Sequence, residues 1–386
     1  MIKLVSDTID KSDIKSLTEW LNQDITPRLT KGDLTWELEK KWAKKIGTRF
    51  SVFVNSGSSA ILLTLAAMKE SGKLENNKVV VPALSWATDV SSPMLLGYDV
   101  HMCDCNLHDL SCDLVHLEEL FEKERPASFI LVSPLGLVPN MTQIVDLCNR
   151  YGVKLLEDVC ESMGSKYNER HLGTFGLASF HSMYFGHHLS TIEGGFISTD
   201  DIELYHLLLM MRSHGWDRDL PLDKQKELRD TYKVNSFNSL YNFYVPGLNV
   251  RSTDLQAFIG IRAIDKLDTY SAIRRANFIT YSENITGNIL SLRENQGDFI
   301  SSFAFPIVHK KRDEIVKELI DNGIEIRPLI AGNMANKPMW FNKHVIPSLP
   351  NCEIVDEFGF YVPNHQDLTQ EEINNICLIV NKYTDE

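Results

Sequence analysis

No stretch of this 386-residue chain is apolar for long enough to span a membrane. The opening residues, Met1 to Asp10, carry one lysine and no apolar run, so a secretory leader is not expected. Basic charge is in short supply: 39 Lys and Arg stand against 52 Asp and Glu, a net charge of −13. That balance argues against nucleic acid as the main partner, because a phosphate backbone calls for a basic face. It leaves room for a small anion held locally by a few arginines or a helix N-terminus. The seven cysteines are odd in number and lack the spacing of a secreted disulfide scaffold, so a reduced, cytoplasmic compartment is expected. Cys103, Cys105 and Cys112 lie close together, but no matching fourth cysteine is near. Alternate strand positions plus one loop cysteine account for them better than a zinc or iron–sulfur site, and no metal is expected. Internal repeats, low-complexity tracts and linkers rich in Pro, Gly or Ser are also missing.

What is present is an alternation of short apolar runs and helical patterns. Strands are expected at Ser51–Val54, Lys78–Val81, Val100–Cys103, Phe129–Val132 and Lys154–Leu156. Helices are expected at Ser58–Met68, Leu114–Glu124 and Thr142–Tyr151. Val/Ile/Leu-rich strands between helices imply a buried, mostly parallel sheet. After about Arg262 the pattern changes. A long helix near Lys266–Tyr281, an apolar run at Phe303–Val308, a helix at Arg312–Asn322 capped by Gly323, and a last helix from Thr369 to about Lys382 read as a small α+β unit. The expected organisation is residues 1–262 as an arm plus large α/β domain, and 263–386 as a small domain.

Three segments could carry chemistry. Asn55-Ser56-Gly57-Ser58-Ser59-Ala60 follows a strand and opens a helix, an arrangement that holds anions on free N–H groups, although a plain capped turn has the same look. Leu155-Leu156-Glu157-Asp158-Val159-Cys160-Glu161 puts acids at the C-terminal end of a buried strand, where open α/β sheets bind ligands. An aspartate there can pair with a protonated ring nitrogen and hold a cofactor as an electron sink; helix capping is the simpler use. Ser182-Met183-Tyr184-Phe185-Gly186-His187-His188, running on to Glu193-Gly194-Gly195, holds two adjacent histidines that would face opposite ways, so a joint metal site is not expected. Arg212-Ser213-His214-Gly215-Trp216 and Asn249-Val250-Arg251 are rich in donors, and a nucleotide diphosphate needs bidentate cations.

As a set, from about Gly32 to the C-terminus, these segments resemble the fold-type I pyridoxal 5′-phosphate (PLP) enzymes that aminate or dehydrate nucleotide sugars. Gly32 and Glu39 are similar to the opening stretch of that family, and Pro82-Ala83-Leu84-Ser85-Trp86 to its aromatic stacking loop. The resemblance implies an aspartate aminotransferase-like fold with Gly57, Ser58 and Ser182 around the cofactor phosphate and Trp86 on the ring face. It places Asp158 at the ring nitrogen and Glu161 near the ring hydroxyl. Asn249 lies in the loop that, in this family, crosses to the neighbouring site of a homodimer. His214, Arg251, Arg327 and His365 are the candidate substrate contacts.

Counting back from Glu193-Gly194-Gly195, the lysine of the aminotransferases should fall at position 187, where this chain has histidine. That resembles the sugar 3-dehydratase branch. The iron–sulfur-dependent branch shares the histidine but needs a cysteine cluster that is not evident here. Imidazole cannot hold PLP covalently, but it moves protons near neutral pH. The resemblance therefore implies non-covalent PLP resting as pyridoxamine phosphate (PMP), with His187 as catalytic base and L-glutamate as amino donor. The substrate would be a nucleotide-linked 4-keto-6-deoxy sugar such as GDP-4-keto-6-deoxy-D-mannose. The residues themselves leave base and hexose open. An aminotransferase of the same family and a catalytically silent sensor or scaffold are the alternatives. His188 is expected to serve packing.

Overall fold

The computed structural model describes residues 1–384. Twelve strands occur among them: β1 (Phe50–Val54), β2 (Lys78–Pro82), β3 (Asp99–Cys103), β4 (Ser128–Val132), β5 (Lys154–Asp158), β6 (Lys166–Tyr167), β7 (Arg170–His171), β8 (Ala178–Ser182), β9 (Gly195–Thr199), β10 (Ala304–Val308), β11 (Arg327–Pro328) and β12 (Gly359–Pro363). Seven form the main sheet in the order β1-β9-β8-β5-β4-β2-β3. Only β9 runs against its neighbours; the β8–β5–β4–β2–β3 run is parallel. The five expected strands are all there and lie in this sheet. β4 is buried along its whole length, as a strand covered on both faces must be.

Between the strands the helices start and stop on local signals. Ser56 accepts the Ser59 N–H and opens helix Gly57–Glu70, Asp113 caps Leu114–Glu124, and Asn140 caps Met141–Tyr151. Two N-terminal helices were not apparent in the sequence, Lys11–Leu21 and Asp33–Ile46. The second carries Glu39, which accepts the Phe53 N–H (2.8 Å) and pairs with fully buried Arg212, tying the helix to β1. Glu39 and Asp219 together hold the Arg212 guanidinium charged above its usual range, against the burial. Gly32 donates its N–H to Asp254 at 2.8 Å. Both residues of the opening stretch are thus structural ties.

The second sheet, β10-β12-β11, is antiparallel; helix Leu267–Asn284 packs on it through Phe278 and Tyr281 against Phe305, helix Pro350–Phe358 lies against β10 and β12, and helices Arg312–Asp321 and Gln370–Asn381 pack on each other. Gly323, at φ +73°, ends Arg312–Asp321 in the left-handed conformation expected of a cap. The two sheets lie on either side of residue 262 in the sequence, and backbone bonds such as Phe303 N–H to Leu135 O (3.0 Å) and Met334 N–H to Ala83 O (2.8 Å) join the two parts. Ile2 bridges Ile324 in parallel, donating to Gly323 O (2.9 Å) and accepting from Glu325 N (3.0 Å). Further along the same arm, Thr8 accepts the Ser190 N–H (2.9 Å) and Asp13 pairs with Arg262 (2.9 Å), so the arm touches both units. None of the described helices is long and apolar enough to cross a membrane.

Candidate active site

The parallel strands set their C-terminal ends along one edge, and four of those ends feed the site. After β1, residues Asn55 and Ser56 turn into helix Gly57–Glu70, whose first N–H groups have no partner within the helix. Ser182, ending β8, stands against this turn. A Cβ on Gly57 would fall 2.9 Å from Cys160 Sγ and 3.1 Å from Ser182 Cβ. A Cβ on Gly195 would fall 2.4 Å from the Ser56 carbonyl carbon and 2.5 Å from the Gly57 nitrogen. Both glycines are there because backbone must approach this closely. Gly57, Ser58 and Ser182 thus come together at a helix N-terminus, a site suited to a phosphate.

Beside it lies an acidic floor. Asp158, ending β5, is buried and accepts the Cys160 N–H at 2.8 Å. Asp89, in the first turn of helix Ala87–Leu95, is fully buried, and neither of its carboxyl oxygens has a hydrogen-bond partner. Burial, then the Asp158 charge, pushes the Asp89 carboxyl well up from the usual carboxylate range. Two such acids facing each other call for a proton or a cation between them. A protonated pyridine nitrogen answers that need, so the residues fit PLP. Trp86, just before the helix, is 56% exposed, large aromatic area left free at the same edge. Glu161 accepts the Leu135 N–H at 3.0 Å, and burial pushes its carboxyl up to about 7.

The turn after β8 carries His187. His187 donates its backbone N–H to Tyr184 O at 2.9 Å, and its ring meets Phe303 (centroids 5.3 Å) and Tyr184 (6.1 Å) edge-on. Nδ1 of this ring is buried without a partner. Burial lowers the imidazole to about 4, opposed by a hydrogen bond to the Cys160 backbone. It is therefore neutral throughout the physiological range. His188 is fully buried, with Nε2 2.8 Å from Ser301 O, in keeping with a packing role. Both histidines flank Phe303, so they do not simply face opposite ways.

The expected substrate contacts are scattered over three places. His214, Asn249 and Arg251 form one cluster with Trp216: the His214 ring meets Trp216 at 5.1 Å, Arg251 lies 5.7 Å and Arg218 3.9 Å from that ring, and Asn249 Oδ1 accepts from Arg251 Nε (3.0 Å). This loop extends the edge of β1 through a Val54–Arg251 bridge, next to the phosphate turn. Arg327, in β11, is exposed opposite Tyr361 of β12. Burial and Glu161 push the Tyr361 hydroxyl up while Arg327 opposes them, so the β11–β12 pairing sets this arginine beside a tyrosine that faces Glu161. His365 is taken up by the fold: Nε2 lies 3.1 Å from Lys3 O and Nδ1 accepts from Asp367 N (3.3 Å). That leaves no ring nitrogen for a substrate.

The sequence reading missed Asp89, Tyr361 and Phe303. An acid three residues after the stacking tryptophan was a usable signal for the first; the other two arrive from the second sheet and had none. Asp104, Cys105 and Cys352 also converge, one potential ligand atom from each lying within 4.8 Å of the others. The Asp104 carboxylate is already committed to the N–H groups of Cys105, Asn351 and Cys352 at 2.8–3.0 Å, which makes it the cap of helix Pro350–Phe358.

Fold and site together define an enzyme of the aminotransferase fold, with an open helix N-terminus beside Ser182, a pair of buried acids and a histidine where a lysine is usual. The chain belongs to the DegT/DnrJ/EryC1/StrS aminotransferase family, whose model matches residues 7–381. Among curated relatives, GDP-4-keto-6-deoxy-D-mannose 3-dehydratase of Yersinia pseudotuberculosis is 32% identical over 98% of both chains. The enzyme of the same name from Escherichia coli O55:H7 is 33% identical over 96% of this chain and 97% of that one. Among solved structures, a GDP-4-keto-6-deoxymannose-3-dehydratase variant with bound GDP-perosamine superposes with a TM-score of 0.89 at 31% identity, covering 98% of this chain and all of that one.

Proposed function

We propose that the chain is a PLP/PMP-dependent 3-dehydratase. It removes the C3 hydroxyl of a nucleotide-linked 4-keto-6-deoxy sugar, GDP-4-keto-6-deoxy-D-mannose by analogy with its relatives, and takes its amino group from L-glutamate. The observation that carries this reading is the neutral, half-buried imidazole of His187 at the lysine position. A related GDP-4-keto-6-deoxymannose-3-dehydratase, 30% identical, has been seen with PLP and glutamate trapped together, which supports the choice of cofactor and donor.

When bound, the cofactor supplies an amine to condense with the sugar ketone and a ring that accepts electrons. The residues do the rest. Asp158 holds the proton on the ring nitrogen. Gly57, Ser58 and Ser182 fix the phosphate through N–H and hydroxyl groups, and Trp86 covers one ring face against water. Glu161 stands by the ring hydroxyl. His187 takes a proton through its free Nδ1 and returns one to the departing C3 hydroxyl, so that hydroxyl leaves as water and a single base serves both transfers. Hydrolysis then frees ammonia and the 3-deoxy-4-keto sugar. The amine is not tied to the chain, because imidazole offers no covalent anchor.

The protein acts as a cytoplasmic homodimer. Its support is the segment before Asn249, where Phe237, Tyr241 and Phe243 are 81%, 76% and 53% exposed, more apolar area than a lone surface loop needs. Mass analysis of products from enzyme, PLP, glutamate and a panel of nucleotide 4-keto sugars tests the reading. A 3-deoxy sugar supports it; an amino sugar makes the protein an aminotransferase.

A further inference from the structure

Asp89 has no place in the mechanism above, yet its position is unusual. Its backbone N–H is used within the helix turn, reaching Trp86 O at 3.2 Å, but its carboxyl oxygens receive no hydrogen bond from any donor and meet no solvent; the group they face is the Asp158 carboxyl. Leaving such a group unmade is costly, by about 1–3 kcal/mol for a buried polar group. The ionisable groups that face it are Asp158, Glu161 and the Cys160 thiol. Each of these would resist a second negative charge, so the interaction open to Asp89 is as a neutral acid toward the carboxylate of Asp158.

We infer that Asp89 is a positioning residue: it gives its carboxyl proton to a hydrogen bond with Asp158 and so fixes that side chain toward the cofactor ring. The Asp158 side chain is otherwise held by Cys160 alone among the described residues, through its N–H on one oxygen and its thiol. The acid three residues after Trp86 supplies a second anchor from the adjacent helix, linking the stacking loop to the ring partner. The inference rests on Asp158 being that partner.

The test uses cofactor-free protein and equilibrium dialysis with PMP. Asp89→Asn keeps a donor and should bind PMP within about threefold of the native dissociation constant. Asp89→Leu keeps the shape without the donor and should weaken binding at least tenfold, with an unchanged circular dichroism spectrum. Native-like affinity in a folded Asp89→Leu protein overturns the inference, and so does an Asn variant as weak as the Leu one. Should the Leu variant not fold, melting temperature against pH decides. A carboxyl raised in the folded state loses stability as pH climbs from the ordinary carboxylate range, so Asp89→Asn should gain on the native protein between pH 5 and pH 8. An equal difference at both values overturns the neutral-donor role. The assignment of Asp158 is checked separately, by the absorbance of bound PMP against pH in Asp158→Asn. An unchanged ring titration there sinks that assignment and is distinct from either Asp89 outcome.

Discussion

Replacing His187 by asparagine isolates the proton-transfer role from every other role of that turn. The turn itself survives, because the His187 N–H to Tyr184 O bond belongs to the backbone. The ring loses its edge contacts with Tyr184 and Phe303, half-buried contacts whose removal should cost about 1 kcal/mol or less of stability. The phosphate turn, Asp158 and Trp86 do not depend on the ring, so PMP should bind as before. The chemical step should slow by about two to four orders of magnitude, or about 3–5 kcal/mol of barrier, the usual weight of a positioned base. The assay is a single turnover of PMP-loaded protein with the 4-keto sugar, quenched and analysed for 3-deoxy product. The native enzyme adds a second signature. With burial holding the imidazole down to about 4, its rate should persist well below the ordinary histidine range before the acid limb begins. A His187→Asn protein turning over within about threefold of native would refute the reasoning and leave His187 as packing.

His187→Lys should let borohydride fix PLP to the chain, which the native protein should not allow, and should block dehydration; mass spectrometry of the treated protein reads both states. Mixing Asn249→Ala chains with His187→Asn chains should restore one working site per mixed dimer, and no recovered activity means Asn249 does not act across an interface. His181, buried against Trp42, is lowered to about 3 by burial, so the fold favours its neutral form. Its contribution is complete above about pH 6.5 and falls away below it, by up to about 1.4 kcal/mol per pH unit. His181→Gln should therefore gain on the native protein in denaturant midpoint between pH 7 and pH 4.5, and parallel midpoints would refute this.

The parallel half of the main sheet was readable because β2 to β5 are short apolar runs between helical patterns, and burial on both faces leaves no other composition for them. β8 and β9 were not recognised as strands. Ala178–Ser182 mixes serine and histidine with one phenylalanine, and both strands are covered by helix Asp33–Ile46, whose Trp42 meets His181 of β8 and Phe196 of β9. No local pattern announces those contacts. In the site, Asp158 and Ser182 each end a strand, and His187 lies in the turn that follows β8, each beside a flank recognisable in the sequence. Tyr361 and Phe303 enter from a sheet formed more than a hundred residues later. His365 looked like a substrate contact because nothing in its neighbourhood reveals that Lys3 will come to meet it.

That meeting has a consequence for how the molecule is made. The strands of the main sheet end at Thr199, so the chain can assemble that unit while its last third is still being synthesised. The second unit cannot do so. Its outer rim waits for Ile2 and Lys3, which are made long before their partners Ile324 and His365. Until those partners exist, this short segment has its destination unmade. Once seated, it joins positions more than three hundred residues apart, so the last step in building that rim belongs to residues made well before the rest of it.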